Sequence, residues 1–209
     1  MTQKLVMLLS AEAGNSPAEL LFGSTPLVAS TDLPLTENSS RHLLSRAEAA
    51  LRDHQLVECA RLTSRALHRL PHESRALASE EWLLLAGLSL LNGNLESSEH
   101  QLQMAARRLH QVRAVHAREF LSQRIAMIRS LHAGVCDAEA GLTELLTVFR
   151  FLGTTRCPEL CVQAMRVRDI LLKWTAEEGI EFDAIGNGTV PHMSWPHQRN
   201  ASPLNPEWN

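Results

Sequence analysis

The sequence predicts an all-α chain: a short right-handed superhelix, or solenoid, of about three antiparallel helix hairpins closed by a capping C-terminal helix. Three observations carry this. Between Ser40 and about Glu178 apolar residues recur at spacings of three and four, as in Leu43, Leu44, Ala47, Ala50 and Leu51, which is the period of an amphipathic helix. Leu and Ala supply the apolar content, while aromatics make up 4% of the chain and Tyr is absent. Helices favour Leu and Ala, whereas sheets draw on Val, Ile, Tyr and Phe. Finally, the chain resembles itself when shifted by 40 residues, the mark of a repeat architecture.

Residues 1–38 mix turn formers with short apolar pieces and form an N-terminal segment. Leu5 to Leu9 suits a short strand or a helical turn equally well. Ser16-Pro17 before Ala18-Glu19-Leu20-Leu21 reads as a cap, a proline at the first helical position and one or two turns, stopped by Gly23. Residues 24–40 are rich in Ser, Thr and Pro and read as a linker. The repeat domain, 39–179, is expected to hold helices at about 41–53, 56–69, 73–92, 95–109, 112–133, 137–152 and 158–178. Pro71 should end the second, because the residue before a proline avoids the α region. Gly93, within Asn92-Gly93-Asn94, and Gly134 offer left-handed stops, and Asp137 offers a start cap. No Gly or Pro separates 109 from 112, so those two helices either break there or run on as one. The residues after Pro158 are expected to cover the end of the stack with Val162, Met165, Ile170, Leu171 and Trp174. Residues 180–209 carry closely spaced Gly and Pro and read as a disordered tail. Its Trp195 and Trp208 are either docking elements or fold back onto the array.

Four columns recur at the 40-residue shift: Leu51, Leu91 and Leu131; Leu62, Leu102 and Leu142; Ala66, Ala106 and Leu146; and Ala47, Gly87 and Met127. The second and third columns lie four residues apart and share a helix face. Each unit is thus helix, turn, helix, and units must stack because one hairpin cannot bury its apolar face alone.

The second unit resembles a tetratricopeptide repeat. Trp82, Leu85, Ala86, Gly93, Ser98, Leu102 and Ala105 stand where that motif has its large, apolar, small, turn-glycine, small, large and small residues. Ala66 to Pro71 resembles the end of such a unit. His42 and Ser122 depart from the motif in the first and third units. The 40-residue period is nearer the longer hairpins of the MalT-like regions of bacterial transcription regulators. The resemblance covers roughly 41–152 and implies α-hairpin stacking with a concave face, made by the first helix of each unit, that takes a peptide or protein partner.

Charge and motifs exclude more than they include. The net charge of −3 gives no general basic field, so direct nucleic-acid binding is not expected. Arg107, Arg108, Arg113 and Arg118 read as a solvated face, with a local basic stripe as the alternative. No run of about 18 apolar residues suits a membrane span. The apolar run after Lys4 is shorter than a signal sequence needs, so a cytoplasmic chain is expected, and the sequons at Asn38, Asn187 and Asn200 carry no weight. Cys59, Cys136, Cys157 and Cys161 read as reduced thiols. Cys157 and Cys161 are four apart, not the usual zinc spacing, and no phosphate loop, nucleophile elbow or paired-histidine metal motif occurs. Trp82 and Trp174 read as core.

The expected function is a non-catalytic interaction scaffold or adaptor with no cofactor. Its partner-facing residues would be Arg46, Arg75, Glu80, Arg118 and Arg124, on the first helices. The alternative is a ligand- or peptide-sensing module of a bacterial transcriptional or signalling regulator. The partner, the process and the oligomeric state are not legible.

Overall fold

The computed structural model describes Lys4 and residues 16–24, 26–27, 39–73, 77–153 and 157–179, with only the backbone of 71–73. The expectations for Leu5 to Leu9, Arg75 and residues 180–209 lie outside these. Among the described residues all regular structure is helical. The elements are α1 (Pro17–Phe22), α2 (Ser40–Arg52), α3 (Leu56–Glu73), α4 (Ser79–Leu91), α5 (Leu95–Arg108), a 3₁₀ turn (Leu109–Gln111), α6 (Val115–Cys136), α7 (Ala138–Leu152) and α8 (Pro158–Glu177). None is long and apolar enough to cross a membrane.

Helices pack most closely with their sequence neighbours: α2 on α3, α4 on α5 and α6 on α7. The connections are residues 53–55, residues 92–94 and Asp137 alone. Each is too short for anything but a return of the chain. Gly93 takes φ 75° in its turn, a conformation that costs a glycine nothing. Asn94 accepts a bond from Ser97 N at the start of α5, and Asp137 accepts from Glu139 N and Ala140 N at the start of α7, satisfying donors that helix starts leave orphaned.

Several boundaries differ from expectation. The backbone of α3 continues through Pro71 to Glu73, because a proline in the last turn forfeits a single intrahelical bond. Helix α4 begins at Ser79, not near 73; the Glu81 carboxylate turns back to accept from Ala78 N at 2.5 Å and fixes that start. Of the two readings left open at 109–112, the break is the one seen: the 3₁₀ turn divides the helices, and the second begins at Val115 and not near 112. Gly134 does not stop α6. A Cβ there would lie 2.2 Å from Leu171 Cδ2 on α8, and one at Gly141 would lie 2.7 Å from the Gly134 Cα. Both glycines let helices approach closely.

The repeat columns are largely interior. Leu51, Leu91, Leu131, Leu62, Leu102, Leu142, Ala47 and Met127 are all buried. The third column slips by one: Ala66 is buried, but its later counterparts are Ala105 and Leu145, with Ala106 and Leu146 half-buried. Leu131 also falls five residues short of the end of its helix, because α6 is 22 residues long where α2 and α4 have 13 each. In the second pair Trp82, Leu85, Ala86, Leu102 and Ala105 are core, and Ser98 Oγ donates to Ala86 O at 2.9 Å. Ser79 Oγ donates to Ala105 O at 2.7 Å, a second bond between α4 and α5.

Helix α8 packs on α7 and α6, with Trp174 and Leu171 fully buried. Its inward face differs from expectation: Val162 is 52% exposed and Met165 is only half-buried, while Leu160, Cys161, Ala164 and Val167 point in.

Candidate functional site

Helix α4 shows where the interior is most unusual. Of its residues only Glu80 is not buried. An apolar helix with no polar face must be covered on every side. One side is met by α5. Another is met by α1, which lies against α2, α6 and α8 and reaches α4 through Phe22. Phe22 is fully buried. An ideal Cβ on Gly87 would lie 2.5 Å from its Cζ and 2.6 Å from its Cε1, so only the absent side chain of Gly87 makes room for the ring. Ala18, Leu20 and Leu21 are buried beside it.

The backbone around α1 is held by side chains from other helices. Ser16 Oγ accepts from Ala18 N and donates to Leu51 O of α2 at 3.0 Å. Gln163 Nε2 of α8 donates to the carbonyls of Leu20, at 3.1 Å, and Leu21, at 2.8 Å, two of the acceptors that a helix end leaves unpaired. Arg52 Nη1 of α2 donates to the carbonyls of Gly23 and Ser24, each at 3.1 Å. The Glu48 carboxylate accepts from Leu27 N at 2.9 Å and from Arg52 Nη2 at 2.8 Å. Gly23 has φ 78° and ψ −176°, a region open to glycine alone. Further along, the Lys4 ammonium donates to Gly134 O at 2.9 Å and Val135 O at 3.3 Å, where it meets the negative end of α6. It also pairs with Glu178 and lies 5.6 Å from the Trp174 ring centre.

A further ion pair closes this region. Arg124 of α6 is buried and donates to Glu159 of α8 at 2.7 Å, with its guanidinium 4.3 Å from the Phe120 ring centre. Burial lowers its pKa from the usual arginine value, opposed by the charges of Glu159 and Glu48. The arginine stays charged, so it is a buried cation held by carboxylates from two helices.

Of the five residues expected to face a partner, the four that are described do not form one surface. Arg124 is a correction: it is enclosed at the junction of α6 with Gly23 and α8, because its apolar neighbours Leu121, Ile125 and Ile128 take it into the core. Arg46 is exposed and pairs with Glu58 of α3 at 3.7 Å. It stands two residues from Glu48, about 200° around the helix and so away from α1. Arg118 is exposed in the first turn of α6, and Glu80 is half-buried near Arg41, whose guanidinium binds Glu81. Arg75 lies outside the described residues. Glu48, Arg52 and Gln163, which hold α1 and the residues after it, and Glu159, which binds Arg124, were not singled out by sequence. Their signal was present: Glu48 and Arg52 are an i,i+4 charge pair set into the stripe of Leu44, Ala47 and Leu51, where a solvated pair has no place.

Elsewhere, an apolar cleft of about 350 Å³ lies between α3 and α4, lined by Leu51, Leu56, Val57, Cys59, Leu88 and Leu91 among others. Burial pushes the Cys59 thiol up to about 11, against a bond with Thr63. Among the described residues no group of three or more His, Cys, Asp or Glu side chains is placed to hold a metal ion.

No family model, no curated protein and no solved structure matches the chain.

Proposed function

We propose that this protein is a non-catalytic interaction scaffold of tetratricopeptide-like stacked helix pairs, and that it takes a partner protein on the face shared by α2, α4 and α6. The observation that carries this reading is the seat of α1. There, side chains of α2 and α8 bond the main chain of a short helix, and α4 and α6 receive its one aromatic side chain. Main-chain bonds supply affinity and a side-chain pocket supplies selectivity, which is how proteins recognise peptides. In a stack of helix pairs that face is the inner one.

The test is capture of partners by the immobilised full chain from native lysate, followed by crosslinking mass spectrometry. Crosslinks concentrated on α2, α4, α6 or residues 16–27 are expected. Capture of no partner, or crosslinks confined to other faces, would overturn the reading. A second reading, a small-ligand sensor, is favoured by one observation only: the apolar cleft between α3 and α4, whose volume is at the lower end for ligand sites. Thermal stabilisation by small apolar ligands, lost in Leu88→Phe, would favour it.

A further inference from the structure

We propose that α1 is a resident placeholder in the partner site, and that a partner's short apolar helix end displaces residues 16–27 to dock there. This deepens the scaffold reading and rests on it.

The seat is built for exchange. Among the described residues, the bonds from Glu48, Arg52 and Gln163 to residues 20–27 end on main-chain atoms, so another peptide can present the same acceptors and donor. The side-chain ties of the segment are Ser16 Oγ on Leu51 O and the Glu19 carboxylate 3.5 Å from Arg166 of α8. Selectivity comes from one pocket, over Gly87 and beside Ile128, which holds Phe22, with Leu20 and Leu21 buried before it. Helix α1 has six residues, far below the length at which a helix is stable by itself; its order depends on the seat. Residues 28–38 join it to α2 and contain Ser30, Thr31, Pro34 and Thr36. Eleven residues reach about 36 Å when extended, enough for α1 to leave while α2 stays in place. The occupant is thereby specified: two aliphatic residues and an aromatic at the end of a helix, followed by a non-helical residue that exposes its carbonyl to Arg52. Charge fits too, since Arg52 and Arg124 lie at the negative end of the docked helix.

The experiment uses the full chain and a fluorescent peptide of residues 14–28, read by anisotropy. Gly23→Ala is the main variant. It puts a side chain on a backbone conformation that only glycine adopts freely, with its Cβ 2.5 Å from Arg124 Nη2 and 2.9 Å from Glu159 Oε1, and so loosens α1 while also crowding the ion pair between α6 and α8. Circular dichroism and the exchange protection of α4 and α6 establish that the variant used is folded. Phe22→Ala is the second variant, which empties the pocket. Hydrogen exchange confirms which segment has opened. Since apparent affinity scales with the fraction of empty seats, both variants are expected to bind the peptide at least ten-fold more tightly than wild type. Equal affinity for wild type and variants, or no uptake by folded variants with residues 16–24 deprotected, would overturn the proposal. Dimers that grow as α1 is loosened, with no peptide uptake, would mean exchange between two copies and would overturn the partner reading as well. A partner crosslinked to α2, α4 or α6 without peptide uptake would overturn displacement while leaving the scaffold standing.

Discussion

The contact between Phe22 and Gly87 joins the N-terminal helix to the centre of the fold, and a double-mutant cycle measures it. In Gly87→Ala the new methyl lies 2.5 Å from Phe22 Cζ and 3.5 Å from Ile128 Cδ1. The ring is fully buried and has no solvent into which to retreat. Overpacking of this kind costs about 1–3 kcal/mol, and alanine in place of a mid-helix glycine returns up to about 1 kcal/mol. A net loss of about 1–2 kcal/mol lowers Tm by roughly 2–8 °C in a chain of this size. Phe22→Leu alone opens a void where the ring tip was and costs about 1–2 kcal/mol. Combined, the alanine methyl occupies that void. The double variant should then be more stable than the sum of the single effects by about 1–2 kcal/mol. The assay is urea unfolding of the four full-length proteins followed by circular dichroism. Effects that add within about 0.5 kcal/mol, as for distant sites, would refute the placement of Phe22 on Gly87.

Other substitutions probe the remaining joints. Gly141→Ala should destabilise more than Gly134→Ala in the same unfolding assay, because its Cβ meets the Gly134 Cα and Ser130 O, which are backbone, whereas the Gly134 Cβ meets the Leu171 and Trp174 side chains. Glu159→Gln removes one charge facing a buried arginine, so it should lower the unfolding free energy by on the order of 1–3 kcal/mol; an unchanged free energy would contradict the role given to this pair. Thiol labelling at pH 8 should modify exposed Cys136 first and Cys59 last, since a thiol raised to about 11 is thiolate in only about one part in a thousand at that pH. The same shift makes stability fall with pH. Folded Cys59 holds its proton where the unfolded chain releases it, so its contribution is complete below about pH 8.5 and is lost as pH rises through 11. A Tm that falls over this window in wild type and less in Cys59→Ala is expected.

The helices were legible because their signals are local. Spacing of apolar residues gave α2, α5, α7 and α8 to within a residue or two, and Ser16-Pro17 with Gly23 gave both ends of α1. What was not legible depends on long-range contacts. Gly134 looks like a stop because glycine often is one; only the approach of Leu171, 37 residues away, reveals its use. Pro71 stands in a last turn whose length no local rule fixes. The division at residue 38 left α1 outside the repeat domain, yet its apolar residues complete the core beside α4. The apolar run of α4, from Trp82 to Leu91, has no solvent side, and this was the available hint that something covers its second face. Among the arginines expected to face a partner, Arg124 was misplaced for a related reason. Choosing polar residues on first helices presumes an open groove, and Arg124 points instead into a face already filled.

Native-state hydrogen exchange on the full chain tests the central claim most directly. With α1 seated but exchangeable, the amides of residues 20–23 should be protected, yet open at a lower free energy than those of α4 and α6. Protection identical to that of α4 would make α1 a permanent part of the core, opening only with global unfolding. No protection at all would mean that the seat is empty. Either result contradicts a face held for a partner by its own N-terminal helix.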